Sequence, residues 1–147
     1  MLKKIIGYIM GLVGAYVLAV FLVSQFNIAR VTELGYSVSL SQRIETAAHD
    51  LVSMLGLYFP LVAGALLVAF LFTGLILTRF IPRSPGLYAL AGFAGLVLLH
   101  VILNSVLGLV GVAPTRTLLG LGAQGLAGAF GGWLFYQFAF LADPPPC

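Results

Sequence analysis

The sequence predicts an all-α integral membrane protein, a bundle of four transmembrane helices with an additional amphipathic helix on the outer surface before span two. Of its 147 residues, 61% are hydrophobic and 7% are charged, whereas soluble domains carry about 25% charged residues. Four apolar stretches are long enough to cross about 30 Å of hydrocarbon, which takes roughly 20 helical residues. The gaps between them are short, so we expect a single membrane domain over residues 1–147.

The four predicted spans cover about residues 5–26, 55–78, 87–110 and 117–138. Span one follows Lys3 and Lys4 and has the general layout of a signal peptide. Its apolar run is longer than the core of a signal peptide, which has roughly 7–15 residues, and no small-residue cleavage motif follows it. We therefore expect a retained signal anchor.

The basic residues predict the orientation of the spans. The loop after span two contains Arg79 and Arg83 but no acid, and Lys and Arg are enriched in loops that stay in the cytoplasm. Lys3 and Lys4 would lie on the same side. We therefore predict a multi-pass protein of the bacterial inner membrane, with the N-terminus and the tail of residues 139–147 both in the cytoplasm.

The segment of residues 39–54 has the periodicity of an amphipathic helix. Ser39 and Gln42 have the S-x-x-Q spacing of a capping box, which would start the helix there. Its apolar side would seal the outer end of the bundle or dock a partner, and we expect it to run into span two with a bend near Pro60. The predicted apolar side contains Leu40, Ile44, Ala47, Leu51 and Met54, and the polar side contains Gln42, Glu45, Thr46, His49 and Ser53.

Span four contains six glycines between Arg116 and Phe135, and most of its small residues fall on one helix face. Small residues let helix backbones approach closely in a membrane, where the hydrophobic effect does not drive helices together. The G-x-x-x-G spacing occurs in span four and again in span one. The residues predicted to pack helices are Gly7, Gly11, Gly120, Ala127, Gly128, Gly131 and Gly132.

Gln124 lies on this small-residue face and needs a polar partner inside the membrane. A short connection joins spans three and four, so the two helices should be antiparallel neighbours. At about 1.5 Å per residue, Gln124 falls between His100 and Asn104 in depth. We predict a hydrogen-bonded group of His100, Asn104 and Gln124, which is either polar glue between helices or a ligand, quinone or proton site.

One pattern in span four resembles the last span of small uncharacterised four-helix inner-membrane proteins of proteobacteria. The residues that carry this resemblance are Arg116, Gly120, Gln124, Ala127, Gly128, Gly131, Gly132 and Phe135. The general layout of the whole chain is also similar. The resemblance implies location and topology, and it implies no activity and no site residue.

The residues argue against most catalytic chemistries. His49 and His100 are expected at different depths and are poorly placed to share a haem. The four acids lie outside the spans, which argues against a proton-coupled drug exporter. No nucleophile motif, phosphate loop or set of metal ligands is present, so we predict no catalytic residue, no metal and no cofactor. The lone Cys147 cannot form an internal disulfide.

Three functions remain as hypotheses. The first is a small non-enzymatic accessory or assembly subunit, or a homo-oligomer, packed through its glycine-rich faces. The second is a small oligomeric transporter or channel that uses the predicted His100, Asn104 and Gln124 group, and the third is a lipid- or quinone-binding membrane protein. Membrane lipids and other membrane subunits, or a second copy, are the expected partners, and nucleic acid is not. Headgroup or anion contacts are predicted for Arg79, Arg83 and Arg116.

Overall fold

The computed structural model of the protein describes residues 1–106 and 117–140. Within these residues every regular element is helical: α1 (Leu2–Glu33), α2 (Leu40–Ser53), α3 (Tyr58–Leu75), a 3-10 turn (Leu77–Arg79), α4 (Pro85–Val106) and α5 (Leu118–Phe140). Four helices are long and apolar enough to cross a membrane, namely α1, α3 with its 3-10 turn, α4 and α5. The prediction of an all-helical protein with four spans is therefore confirmed. Arg116, the connection between α4 and α5, and the tail after residue 140 lie outside the described residues.

Local sequence signals determine where the helices begin and end. The predicted capping box is present, since the Ser39 N–H donates to Gln42 Oε1 at 2.8 Å and the Gln42 N–H donates to Ser39 Oγ at 3.3 Å. The hydroxyls of Ser84 and Thr117 each accept a backbone N–H from the first turn of α4 or α5 at 3.1 Å. Gly35 follows α1 with φ +92°, a left-handed conformation that favours glycine.

α1 is longer than span one was predicted to be, and α3 begins later than span two. The 32 residues of α1 extend about 48 Å, more than the hydrocarbon thickness of about 30 Å. A turn at residues 54–57 separates α2 from α3 where a bend near Pro60 was expected. Pro60 lies instead in the first turn of α3, where its nitrogen has no intrahelical hydrogen bond to lose.

The connection of residues 34–39 reverses the chain, so α2 runs back along the second half of α1. The Tyr16 hydroxyl donates to the carbonyl oxygen of Leu51 at 2.6 Å, and the Arg43 guanidinium donates to Gln25 Oε1 at 3.4 Å. Ala47 is the buried residue of α2. The contact with α1 therefore covers the middle and end of α2, while Leu40 and Ile44 on the predicted apolar side are exposed.

α5 is the central helix of the bundle. It packs extensively against α1 and against α4, whereas α3 packs mainly on α4 and touches α1 and α5 over smaller areas. α4 and α5 are neighbours, as their short connection predicted. The arrangement places one helix, α5, in contact with the other three spans.

Both major contacts of α5 run through glycines. An added Cβ on Gly11 would lie 2.6 Å from the carbonyl oxygen of Gly131, and Gly7 is similarly close to α5. Gly92 and Gly128 face each other so closely that a Cβ on either would overlap the carbonyl group of the other. The glycine-rich faces of α1 and α5 therefore pack against each other within one chain. All the predicted packing residues are buried: Gly7, Gly11, Gly120, Ala127, Gly128, Gly131 and Gly132.

We expect Gly128→Ala to lower the free energy of unfolding by roughly 1–3 kcal/mol, because the added methyl group must push α4 and α5 apart. The measurement is unfolding in mixed micelles with a rising fraction of dodecyl sulfate, followed by the fluorescence of Trp133, the chain's one tryptophan. The matched control is Gly64→Ala in α3, where an added Cβ meets no atom within 4 Å. If Gly128→Ala is as stable as the control, the two backbones are not in contact.

Candidate functional site

Three buried polar side chains form a hydrogen-bonded group inside the bundle, the polar cluster of Tyr58, His100 and Gln124. The Tyr58 hydroxyl donates to Gln124 Oε1 at 2.8 Å and lies 3.3 Å from His100 Nε2. The Gln124 side-chain nitrogen donates to the carbonyl oxygen of Ala19 at 3.1 Å. These residues belong to α3, α4, α5 and α1, so one set of contacts joins all four spans. At 6%, 2% and 0% exposure, the three side chains are shielded from the surroundings.

The partners of Gln124 determine how its side-chain amide is oriented. The Ala19 carbonyl oxygen can only accept a hydrogen bond, so the amide nitrogen of Gln124 must face it. The amide oxygen then faces Tyr58 and needs a donor. Because a phenol has one hydrogen, the hydrogen of Tyr58 is committed to Gln124.

The hydrogen bonds of His100 leave the polar cluster one hydrogen short. Nδ1 of His100 lies 2.8 Å from the carbonyl oxygen of Leu96, one turn earlier in α4. That oxygen can only accept, so Nδ1 carries a hydrogen, and in the neutral ring Nε2 carries none. Nε2 then faces a Tyr58 oxygen whose hydrogen is already donated to Gln124. A proton on Nε2 would complete every hydrogen bond, so the arrangement is chemically able to hold a proton.

The structure brings His100 and Gln124 together through Tyr58 and leaves Asn104 apart from them. Asn104 lies one turn beyond His100, is half-buried, and forms no hydrogen bond with His100 or Gln124 in the structure. The reason is register. α4 and α5 are antiparallel, and Asn104 lies in the last described turn of α4, near the level at which α5 begins.

Tyr58 is a member of this group that the sequence pattern did not indicate. Tyrosines near the ends of spans usually act as interfacial anchors, and a span starting at residue 55 gave Tyr58 that position. Pro60 indicates that a helix begins at or shortly before residue 60, because proline is tolerated in the first turn. That signal does not give the depth of Tyr58, which depends on how α3 packs against α5.

Ser24 is a second buried polar residue that the sequence analysis passed over. It is 0% exposed, and its Oγ is the buried side-chain polar atom that has no hydrogen-bond partner in the described part of the chain. It lies about 7.5 Å along α1 from Ala19, toward α2. Its hydroxyl therefore contributes no hydrogen bond to the packing of the spans.

Two of the three arginines that were predicted to contact headgroups, Arg79 and Arg83, lie at one end of the bundle. Lys4 lies at the same end, and we call these three residues the basic end. Arg79 and Arg83 are exposed there. The Arg83 guanidinium lies 5.5 Å from the centroid of the Phe140 ring, and the Lys4 ammonium nitrogen lies 5.9 Å from the same centroid. The third arginine, Arg116, is outside the described residues.

Two apolar cavities flank α3. The α3–α4 groove has a volume of about 640 Å³. Small residues line both of its walls, together with larger apolar residues such as Leu61, Phe72, Leu98 and Ile102; the small residues are Gly64, Ala65 and Ala69 on α3 and Ala91, Ala94 and Gly95 on α4. The basic-end cavity has a volume of about 320 Å³ and lies between α1 and α3, where Lys4, Tyr8, Phe70, Gly74, Arg83 and Tyr88 contribute to its lining. These cavities and the polar cluster are the candidate functional features of the protein.

Residues 1–106 and 117–140 contain no group of three or more His, Cys, Asp or Glu side chains that could hold a metal ion. His49 and Asp50 form an isolated pair on α2, with 3.9 Å between Nδ1 and Oδ1. His100 is held by Leu96 and Tyr58 inside the bundle.

Compared with protein-family models, curated proteins and solved structures, the chain has no match.

We expect Tyr58→Phe to lower the free energy of unfolding by about 1–3 kcal/mol, because it leaves the Gln124 amide oxygen buried without a donor. The same dodecyl sulfate titration measures this change. The control is Ser24→Ala, which removes another buried hydroxyl but breaks no hydrogen bond. It should leave the free energy of unfolding unchanged or raise it, because a buried hydroxyl without a partner is itself unfavourable. Equal effects of the two substitutions would show that the Tyr58 hydroxyl forms no stabilising bond.

The tautomer of His100 is a separate prediction. A His49→Asn protein labelled with ¹⁵N-histidine reports His100 alone, since the chain contains two histidines. We expect the neutral ring to carry its hydrogen on Nδ1, because Nδ1 faces the carbonyl oxygen of Leu96. Solid-state NMR in lipid bilayers measures the two nitrogen shifts, and a neutral ring with its hydrogen on Nε2 would contradict the Leu96 hydrogen bond.

Proposed function

We propose that the protein is a small non-enzymatic subunit of the bacterial inner membrane, which holds a transmembrane helix of a different protein in the α3–α4 groove. The observation that carries this proposal is the groove itself, with a volume of about 640 Å³ and small side chains on both walls. Spans associate where small residues allow close backbone approach and dispersion contact. A concave surface with small side chains on its walls fits the convex surface of a helix.

The glycine-rich faces of α1 and α5 are not available to a partner, because they contact each other. The groove differs from them in this respect. An added Cβ on Gly64 meets no atom within 4 Å, and Val68, which also lines the groove, is 68% exposed. The groove is therefore a small-residue surface that the described helices leave open.

The shape of the groove favours a different protein over a second copy of this chain. A symmetric dimer places the same surface of each copy against the other. Two concave grooves placed face to face would leave both unfilled. Along α3 the lining extends from Pro60 to Thr73, about 20 Å at the helical rise per residue, which matches a large part of one span.

The proposal includes an orientation. The basic end faces the cytoplasm, because loops rich in Lys and Arg and without acids are retained there. α2 then lies at the outer surface, where it covers the second half of α1. Its exposed polar residues Gln42, Glu45 and His49 face water, and Ala47 and Leu51 face α1.

A proton-linked transport function is the second candidate, and the missing hydrogen in the neutral polar cluster favours it. The burial of all three side chains, none more than 6% exposed, favours a structural role. We expect His100→Ala to lower stability and to leave proton flux across reconstituted vesicles unchanged. A variant that folds normally but loses flux would reverse the order of the two candidates.

We expect Gly64→Leu to prevent docking of the partner helix, because the new side chain fills the groove without meeting an atom of its own chain within 4 Å of its Cβ. The measurement is photo-crosslinking in native membranes from a reactive group at Val68, followed by identification of the crosslinked peptide. The matched control is Gly122→Leu in α5, where an added Cβ also meets no atom within 4 Å. It lies outside the groove and should retain the crosslink.

The result expected is a crosslink to a transmembrane segment of another protein that is present with Gly122→Leu and absent with Gly64→Leu. Crosslinks to a second copy of this chain would indicate a homo-oligomer and overturn the proposal. Crosslinks to lipid alone would show that acyl chains fill the groove, which also overturns it.

A further inference from the structure

The basic-end cavity is a separate feature from the groove and has different chemistry. Its volume of about 320 Å³ lies within the range of about 300–1,000 Å³ typical of ligand pockets. The inner walls are apolar and include Leu67, Leu71 and Phe135. Beside it, toward α2, the Tyr8 hydroxyl donates to the carbonyl oxygen of Ala63 at 2.7 Å and joins α1 to α3.

The mouth of this cavity carries two cations. Lys4 and Arg83 line it, and each lies within 6 Å of the centroid of the Phe140 ring. The described acids, Glu33, Glu45 and Asp50, belong to the end of α1 and to α2, at the opposite end of the bundle. In the described structure, two positive charges therefore converge on one ring without a carboxylate beside them, an arrangement that an anion would stabilise.

A third donor is buried in the cavity wall. Tyr88 is 1% exposed and lines the cavity, and its hydroxyl oxygen lies 3.5 Å from the Cβ position of Gly74 on the facing helix. Ammonium and guanidinium groups donate hydrogen bonds and cannot accept them. The polar groups around the mouth thus offer donors to a ligand with several acceptor oxygens.

We infer that the basic-end cavity binds an acidic phospholipid, with one acyl chain between α1 and α3 and the phosphate between Lys4 and Arg83. The apolar interior fits the chain, and the cations with the Tyr88 hydroxyl fit the phosphate. A bilayer lipid is the source that the geometry favours. α1 and α3 are both spans, so a chain enters from the bilayer, and the cations lie at the span ends, where headgroups lie. This inference is independent of the partner helix proposed for the α3–α4 groove.

Native mass spectrometry of the full chain tests this assignment. The protein is released from vesicles of equimolar phosphatidylglycerol and phosphatidylcholine, and retained lipids are counted. We expect one retained phosphatidylglycerol, with about fivefold lower retention for Lys4→Gln and for Arg83→Gln, since each cation near a membrane surface contributes about 1 kcal/mol to binding an acidic lipid. Arg79→Gln is the matched control, since Arg79 belongs to the same end but does not line the cavity, and it should retain the lipid.

Two further variants make the test independent of charge and of the tail. Gly74→Leu fills the cavity while both cations stay in place, and its Cβ would meet Tyr88 Oη at an ordinary contact distance of 3.5 Å; we expect it to lose the lipid. Asp143→Asn removes the acid of the tail, which lies outside the described residues, and retention should persist or rise. Three results would overturn the inference. The first is equal retention of both lipids, and the second is loss of the lipid with Arg79→Gln or with Asp143→Asn. The third is displacement of the lipid by equimolar oleate, which would assign the cavity to a free fatty acid.

Discussion

The backbone contact between Gly92 and Gly128 constrains the positions of the other helices. Spans in a membrane are held together by dispersion and hydrogen bonds, both of which act over short distances. When two backbones touch, neighbouring helices have one close-packed register, and a shift along the axis would bring a side chain into the contact. α1 meets an adjacent part of the same glycine-rich side of α5 under the same constraint, through Gly11 and Gly131. The low helix propensity of glycine in α5 is the cost of this double contact.

The polar cluster follows from that register and ties the first turn of α3 to the other three spans. Gln124 is buried by the packing of α5 against α1 and α4, and a buried amide needs partners for both its oxygen and its nitrogen. α1 supplies a carbonyl oxygen and α3 supplies the Tyr58 hydroxyl. α3 has small contact areas with α1 and α5, so the Tyr58 hydrogen bond is a major tie between α3 and the centre of the bundle. The close packing of the helix backbones thus buries the Gln124 amide, and the Tyr58 hydroxyl supplies the donor that its oxygen needs.

The sequence was sufficient for the parts of this structure that depend on composition and on local spacing. The four spans, the capping box of Ser39 and Gln42, and the one-sided glycine face of α5 all follow from such patterns. What it did not supply depends on contacts between distant segments. The depth of Asn104 relative to Gln124 requires the register of two helices, and the role of Tyr58 requires the position of the turn before α3. The two cavities require the separations between helices, which no spacing within a single span reveals.

The position of α3 links the three candidate features. Tyr58 holds the first turn of α3 in the polar cluster, and the rest of the helix has a cavity on each side, the α3–α4 groove and the basic-end cavity. On one face of α3, Ala65 and Ala69 line the groove; on the other, Phe70 and Gly74 line the basic-end cavity. The two cavities share this one helix as a wall. A ligand that moves α3 toward α4 would therefore narrow the α3–α4 groove and enlarge the basic-end cavity. Binding free energies at two sites with a common movable wall are coupled, and the coupling is equal in both directions. The proposed lipid and the proposed partner helix contact opposite sides of α3, so a shift of α3 on binding one would change its affinity for the other.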